Sequence, residues 1–164
     1  MKFINPCTCP WQHAVGEDGP KPDPDPAPHR LLTLEQWHAV RAHWPQDVKV
    51  AIEFPNDADV HQLAPDLPRI AMVVLDFPKW TDGRAYSQAH LLRIRHKYTG
   101  ILRARGEVLV DMMQLLARTG FDEVVLRGDQ SQAAAQKALD LFAPVGFYQG
   151  DAAETRPWFL RSAA

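Results

Sequence analysis

From residue 48 onward, short apolar runs alternate with stretches in which apolar positions recur every three or four residues. The first pattern marks buried strands and the second amphipathic helices. It predicts strands over 48–52, 70–76, 100–105 and 123–127, followed in turn by helices over 57–63, 84–97, 107–119 and 131–142. Upstream, Thr33-Leu34-Glu35-Gln36 has the spacing of a capping box. Leu34, Trp37, Val40 and Trp44 share one face of the helix it opens, and Pro45 stops that helix. Gly120 suits the left-handed residue that closes the helix before it.

Four consecutive strand–helix units imply parallel strands joined by right-handed crossovers. The expected fold class is therefore α/β, a single domain of about four βα units with a parallel sheet, either open and doubly wound or half-barrel-like. Val73, Val74, Leu75, Leu92, Leu102, Leu115, Leu116 and Val125 are its expected buried residues. Both architectures collect ligands at the C-terminal strand ends. Those ends carry Glu53 and Asn56, then residues 77–84, then Arg105-Gly106-Glu107, then Arg127-Gly128-Asp129. A half-barrel also has an open side, which a homodimer would cover.

The first 30 residues read differently. Gly19-Pro-Lys-Pro-Asp-Pro-Asp-Pro-Ala-Pro28 alternates proline with polar residues and favours extended polyproline II. Residues 1–30 are expected to form a mobile or loosely docked Pro-rich arm, with Trp11 as its contact, and residues 31–164 the folded domain. At 164 residues and 46% hydrophobic composition there is room for one core. No run approaches the roughly 18 apolar residues of a membrane span, and the first residues lack a signal-peptide core, so a cytoplasmic location without membrane contact is expected.

The net charge of −2 argues against a nucleic-acid partner. Its distribution is uneven: Lys79, Arg84, Arg93, Arg95, Lys97, Arg103 and Arg105 stand against Asp82 alone between residues 77 and 105, in an otherwise acidic chain. Either these bases solvate a helix face and a strand end, or they create a local field that collects small anions. The apolar run 70–75 empties through Phe77-Pro-Lys-Trp-Thr-Asp-Gly-Arg84 into a helix, and helix starts offer unpaired N–H groups. Lys79, Asp82, Gly83, Arg84, Ser87 and Arg105 are the expected binding residues for a small oxyanion. The Arg forks suit bidentate contacts, Lys79 a point contact and Gly83 close backbone approach. Asp82 would orient Arg84 or simply cap the helix.

Catalytic residues are not legible, because no dinucleotide fingerprint, Walker loop, nucleophile elbow or paired acid/base motif occurs. Cys7 and Cys9 are the only cysteines, too few for a four-thiolate iron–sulfur cluster. With His13 they would contribute metal ligands or form a redox pair, yet a C-x-C without a second pair is a weak zinc signal. No metal and no cofactor are expected.

The segment from Phe77 to Arg93, with Tyr98-Thr99-Gly100, Leu102-Arg103-Ala104, Gly106-Glu107-Val108-Leu109, Asp111 and Thr119-Gly120-Phe121-Asp122, resembles the bacterial domain of unknown function nine-three-four family. Its members read approximately FPKFTDGRGYSQARLLR, then YxGELRAxGDVLxDQ, then a CGFD-like turn. Weaker matches at Phe54-Pro-Asn-Asp, Leu63, Asp66-Leu67 and Tyr148-Gln149 fall in the same order. The resemblance implies a role in sulfite reduction, since members are often described as oxidoreductases whose genes lie beside those of sulfite or nitrite reductase haemoproteins. Two functions follow: an accessory protein of assimilatory sulfite/sulfate reduction that binds a small oxyanion or docks on the reductase haemoprotein, or a small enzyme acting on an anionic metabolite at the C-terminal edge of the sheet.

Overall fold

The computed structural model describes residues 1–16 and 19–141. Seven parallel strands form a half-barrel: β1 (Lys2–Phe3), β2 (Gln12–His13), β5 (Arg30–Thr33), β6 (Val50–Phe54), β7 (Ile70–Phe77), β8 (Ile101–Gly106) and β9 (Glu123–Val124), in the order β1-β9-β8-β7-β6-β5-β2. A separate antiparallel pair, β3 (Val15–Gly16) and β4 (Gly19–Pro20), lies in the N-terminal segment. The helices are α1 (Leu34–Val40), α2 (Arg84–Ile94), α3 (Met113–Thr119) and α4 (Gln132–Asp140).

Strands β5 to β9 neighbour one another in chain order, so every crossover passes over the same face. The period of two along each strand sorts the side chains. Leu32, Val50, Ile52, Phe54, Val73, Leu75, Phe77, Leu102, Ala104 and Val124 join the main core with Trp37, Leu92, Met113 and Leu116. The opposite, inner face carries a smaller apolar cluster of Leu31, Ala51, Met72 and Val74. The same alternation places Thr33, Glu53, Asp76, Arg103, Arg105 and Glu123 on that face.

The capping box opens α1: Gln36 N–H donates to Thr33 Oγ1 (3.2 Å), and Thr33 N–H donates to Gln36 Oε1 (2.8 Å). Several boundaries differ from the periodic reading. Strand β5 was hidden in front of that box. The helix expected over 57–63 reduces to 3₁₀ turns at Val60–Leu63 and Leu67–Arg69, where Pro65 and Pro68 prevent continuation. The helix expected over 107–119 begins as a 3₁₀ turn at Val110–Met112 before α3. The last expected helix runs as α4, with Phe142 outside the described residues. Leu115, expected in the core, is 43% exposed, because the short α3 turns Met113 and Leu116 inward and Leu115 away. Val125 is half-buried just past β9.

Backbone geometry requires glycine at the ends of α3 and β8. Gly120 closes α3 at φ 95°, with its N–H on Ala117 O. Gly106 ends β8 at φ 97°, where an added Cβ would stand 2.4 Å from Phe77 O. That close approach lets Glu107 N–H bond the same carbonyl at 2.8 Å.

The N-terminal arm is built into the sheet. Lys2 and Ile4 donate to Asp122 O and Val124 O at one edge, and Gln12 donates to His29 O at the other. Between these edges Trp11 packs against the inner-face cluster. Gln36 clamps the return path, its Nε2 donating to Ala14 O (2.9 Å) and Lys21 O (2.8 Å). Within the arm expected to be mobile or loosely docked, residues 2–14 are therefore docked: the half-barrel has two open edges, and the arm supplies the strand for each. Removing residues 1–28 is expected to lower the melting temperature clearly. Trp11→Ala alone should cost about 1.5 to 3 kcal/mol in urea unfolding, from lost apolar burial.

Arg93 shows how a base that read as surface charge is used structurally. Its guanidinium donates to Gly120 O (2.9 Å), Tyr98 O (2.6 Å) and Gly100 O (2.8 Å), and pairs with Asp122. Asp122 in turn accepts Leu102 N–H at 2.8 Å. The end of α2 is thereby fixed to the end of α3 and the start of β8. Arg93→Met is expected to destabilise by about 2 to 4 kcal/mol, measured by chemical denaturation, since several carbonyls lose a charged donor together.

Candidate functional site

The loop between β7 and α2 is closed by its own hydrogen bonds. Asp82 N–H donates to Lys79 O (2.9 Å), and Arg84 grips Asp82 with Nε to Oδ1 (3.0 Å) and Nη2 to Oδ2 (2.7 Å). Asn56 Nδ2 adds a bond to Asp82 Oδ2 at 2.8 Å. Asp82 also accepts the Arg84 N–H at 3.2 Å, so its carboxylate holds the first helical N–H as well as the guanidinium, although the N-cap position itself is Gly83. Gln88 anchors the helix to the neighbouring loop through Pro55 O and Ala58 O. Tyr86 packs edge-on against Phe77, and burial pushes its hydroxyl up to about 12.

Of the expected binding residues, Lys79, Gly83, Arg84 and Ser87 are exposed around this loop. Arg84 is committed to Asp82. Arg105 lies elsewhere, on the inner face, where Nη2 meets Glu53 Oε1 and Nε faces Asp76 Oδ1 at 3.5 Å. The local positive charge is therefore largely met by acids from other parts of the chain. At the next strand end Arg127 spans Asp129 and Glu107, each at 2.6 Å, and its hydrogen bonds draw the Asp129 carboxyl down to about 2.

The register aligns a row of charge across the inner face. Glu53 stands beside Val74, Val74 beside Arg103, and Arg103 beside Glu123, with Asp76 and Arg105 adjacent one step further on. Arg103 is 6% exposed, and Glu123 Oε2 accepts from its Nε (2.9 Å) and Nη2 (2.7 Å). The arm approaches from above: Cys9 Sγ is 3.0 Å from Arg103 Nη1, His13 Nε2 is 3.4 Å from Arg105 Nη1, and His13 Nδ1 is 3.5 Å from Glu53 Oε2.

Two openings flank this row. The larger, about 760 Å³, lies at the ends of β5 to β7 and is lined by Thr33, Glu35, Gln36, Glu53, Phe54 and Asp76. Its carboxylates repel an anion. The smaller, about 280 Å³, lies beneath the arm and is lined by Cys9, Trp11, His13, Arg103, Arg105 and Gly106, among others.

Cys7 is exposed and Cys9 turns to Arg103, so the two thiols and His13 do not form a common ligand set. Among the described residues no three His, Cys, Asp or Glu side chains are grouped to hold a metal ion. His96 instead pairs with His61 at 2.7 Å, away from the charged row. No described helix is long and apolar enough to cross a membrane.

Sequence reasoning grouped Arg105 with the loop before α2, from which the structure separates it, and named Glu53 at a strand end, but did not single out Arg103, Asp76 or Glu123. The signal was the alternation Ile101-Leu-Arg-Ala-Arg105. A strand buried on both faces that carries two Arg on one of them demands carboxylates on its neighbours.

Hydrogen bonds from the Arg84 side chain, then from its backbone N–H, hold the Asp82 carboxyl well below the usual range. Its stabilising effect is complete above the ordinary Asp pKa and fades only as pH falls through the depressed value. The carbon-13 shift of this carboxyl is expected to stay ionised at about pH 3, where an ordinary exposed Asp is mostly protonated.

The bacterial protein family of unknown function DUF934 matches residues 51–159. The match spans the charged strands β6 to β9 and the loop before α2, and begins after the arm. No match is found among curated proteins.

Proposed function

The chain belongs to the DUF934 family of bacterial proteins, and we propose that it is an accessory protein of sulfite reduction that docks on a sulfite or nitrite reductase haemoprotein through loop 78–84. The observation that carries this reading is Trp80, 58% exposed at the tip of a loop that Asp82 closes through Lys79 O, Asn56 and Arg84. Exposed aromatics held rigid in advance are the usual anchors of protein contacts, because little conformational freedom is lost on binding. Lys79 beside it is exposed and, among the described residues, has no ion-pair partner. An exposed cation next to an aromatic suits an acidic rim on the partner. The choice of a reductase haemoprotein comes from the family resemblance set out above.

Trp80→Ala is expected to change stability by no more than about 0.5 kcal/mol, as for other exposed positions, and to weaken the haemoprotein about tenfold or more in calorimetric titration. Steady-state sulfite reduction with and without this chain gives the functional readout. Equal binding by Trp80→Ala and Lys79→Ala, or no effect of the wild-type chain on binding and turnover, removes the docking reading. The alternative, a small enzyme acting on an anionic metabolite with the basic loop as its binding site, has the exposed Lys79 in its favour, while Arg84 is committed to Asp82 and Arg105 to Glu53 and Asp76. Turnover of such a metabolite without the haemoprotein would select it.

A further inference from the structure

We infer that the 280 Å³ cavity beneath the N-terminal arm is a binding site for a small inorganic oxyanion of the sulfate, sulfite or phosphate class, held between the Nη1 groups of Arg103 and Arg105. The two residues are successive inner-face positions of β8, about 7 Å apart along the strand. One tetrahedral or pyramidal oxyanion spans that distance with two N–H···O bonds. The cavity is smaller than those that enclose drug-sized ligands, and so admits a compact anion with a few waters.

The hydrogen bonding sets the direction of approach. Glu123 occupies Nε and Nη2 of Arg103, and Glu53 and Asp76 occupy Nη2 and Nε of Arg105. Each guanidinium is thus backed by carboxylate and presents Nη1 towards the arm. There the acceptors are poor: the sulfur of Cys9 for Arg103, and an imidazole nitrogen at 3.4 Å for Arg105. A thiol is a weak acceptor, and a charged donor that is nine-tenths buried gains most from an anionic oxygen. Three carboxylates already balance the two guanidiniums, so the anion is held by aimed donors, that of Arg103 buried, and not by surplus positive field. Trp11 and Cys9 form the lid, which makes the arm part of the site.

This site is independent of docking through loop 78–84, and its test needs no haemoprotein. Calorimetric titration of the full chain with sulfate, sulfite and phosphate, against chloride at matched ionic strength, is expected to show saturable binding of at least one oxyanion. Arg105→Gln should weaken it about tenfold or more. Cys9→Ala should tighten it, because the competing acceptor on Arg103 is gone. In the wild-type chain the bound anion should slow alkylation of Cys9 by iodoacetamide while leaving exposed Cys7 unchanged, as read by mass spectrometry. Absence of saturable binding, full affinity in Arg105→Gln, or equal protection of both thiols would overturn the site. The wild-type alkylation measurement decides even if Arg105→Gln fails to fold.

Discussion

A parallel sheet that curls half-way and stops leaves three things uncovered: two edges of unpaired backbone and one inner face. Everything distinctive here follows from how those are closed. The arm lays β1 along β9 and β2 along β5, and the chain between them crosses the inner face with Trp11 against Leu31, Ala51, Met72 and Val74. The edge strands are two residues long, which satisfies the outermost backbone groups while offering little template for further pairing. A closed barrel would need no such cover, and an open doubly wound sheet would use helices for it.

The inner face is also where the chain tolerates buried charge. Bringing Arg103 and Glu123 out of water is costly unless each is paired and hydrogen-bonded, and here the paired strand register places them side by side. Arg105 repeats the arrangement with two acids. Replacing such pairs by apolar groups of equal volume is often neutral or stabilising, whereas removing one partner alone is costly. The outer face shows the opposite economy, with Val, Leu, Ile and Phe against the helices.

How far the sequence reveals this depends on the range of the interaction responsible. The strands β6 to β8 and helices α1 and α2 were legible because periodicity, a capping box and proline stops act within a few residues. Gly120 was legible for the same reason. The arm was not, since strands of two residues carry no periodic signal and exist only because distant edges are waiting for them. Leu115 was misplaced because apolar spacing was counted along a longer helix than forms. At the candidate site the loop residues Lys79 to Arg84 were found as a group, while Arg105 was drawn away from them by Glu53 and Asp76, a choice made by strand register and invisible to local pattern.

The pairing of β1 with β9 has a bearing on how the molecule is made. Lys2 and Phe3 leave the ribosome well before their partners Glu123 and Val124. At ordinary translation speeds of 5–20 residues per second β1 waits roughly 6 to 24 seconds for β9 to be made. Strands β5 to β9 can pair through neighbours adjacent in sequence, whereas β1 can join only after β9. Such late, long-range closure raises contact order and slows the final step of folding. Until β1 docks, the outer edge of β9 is unpaired backbone, a template that chaperones or an early partner can meet and that the finished protein hides.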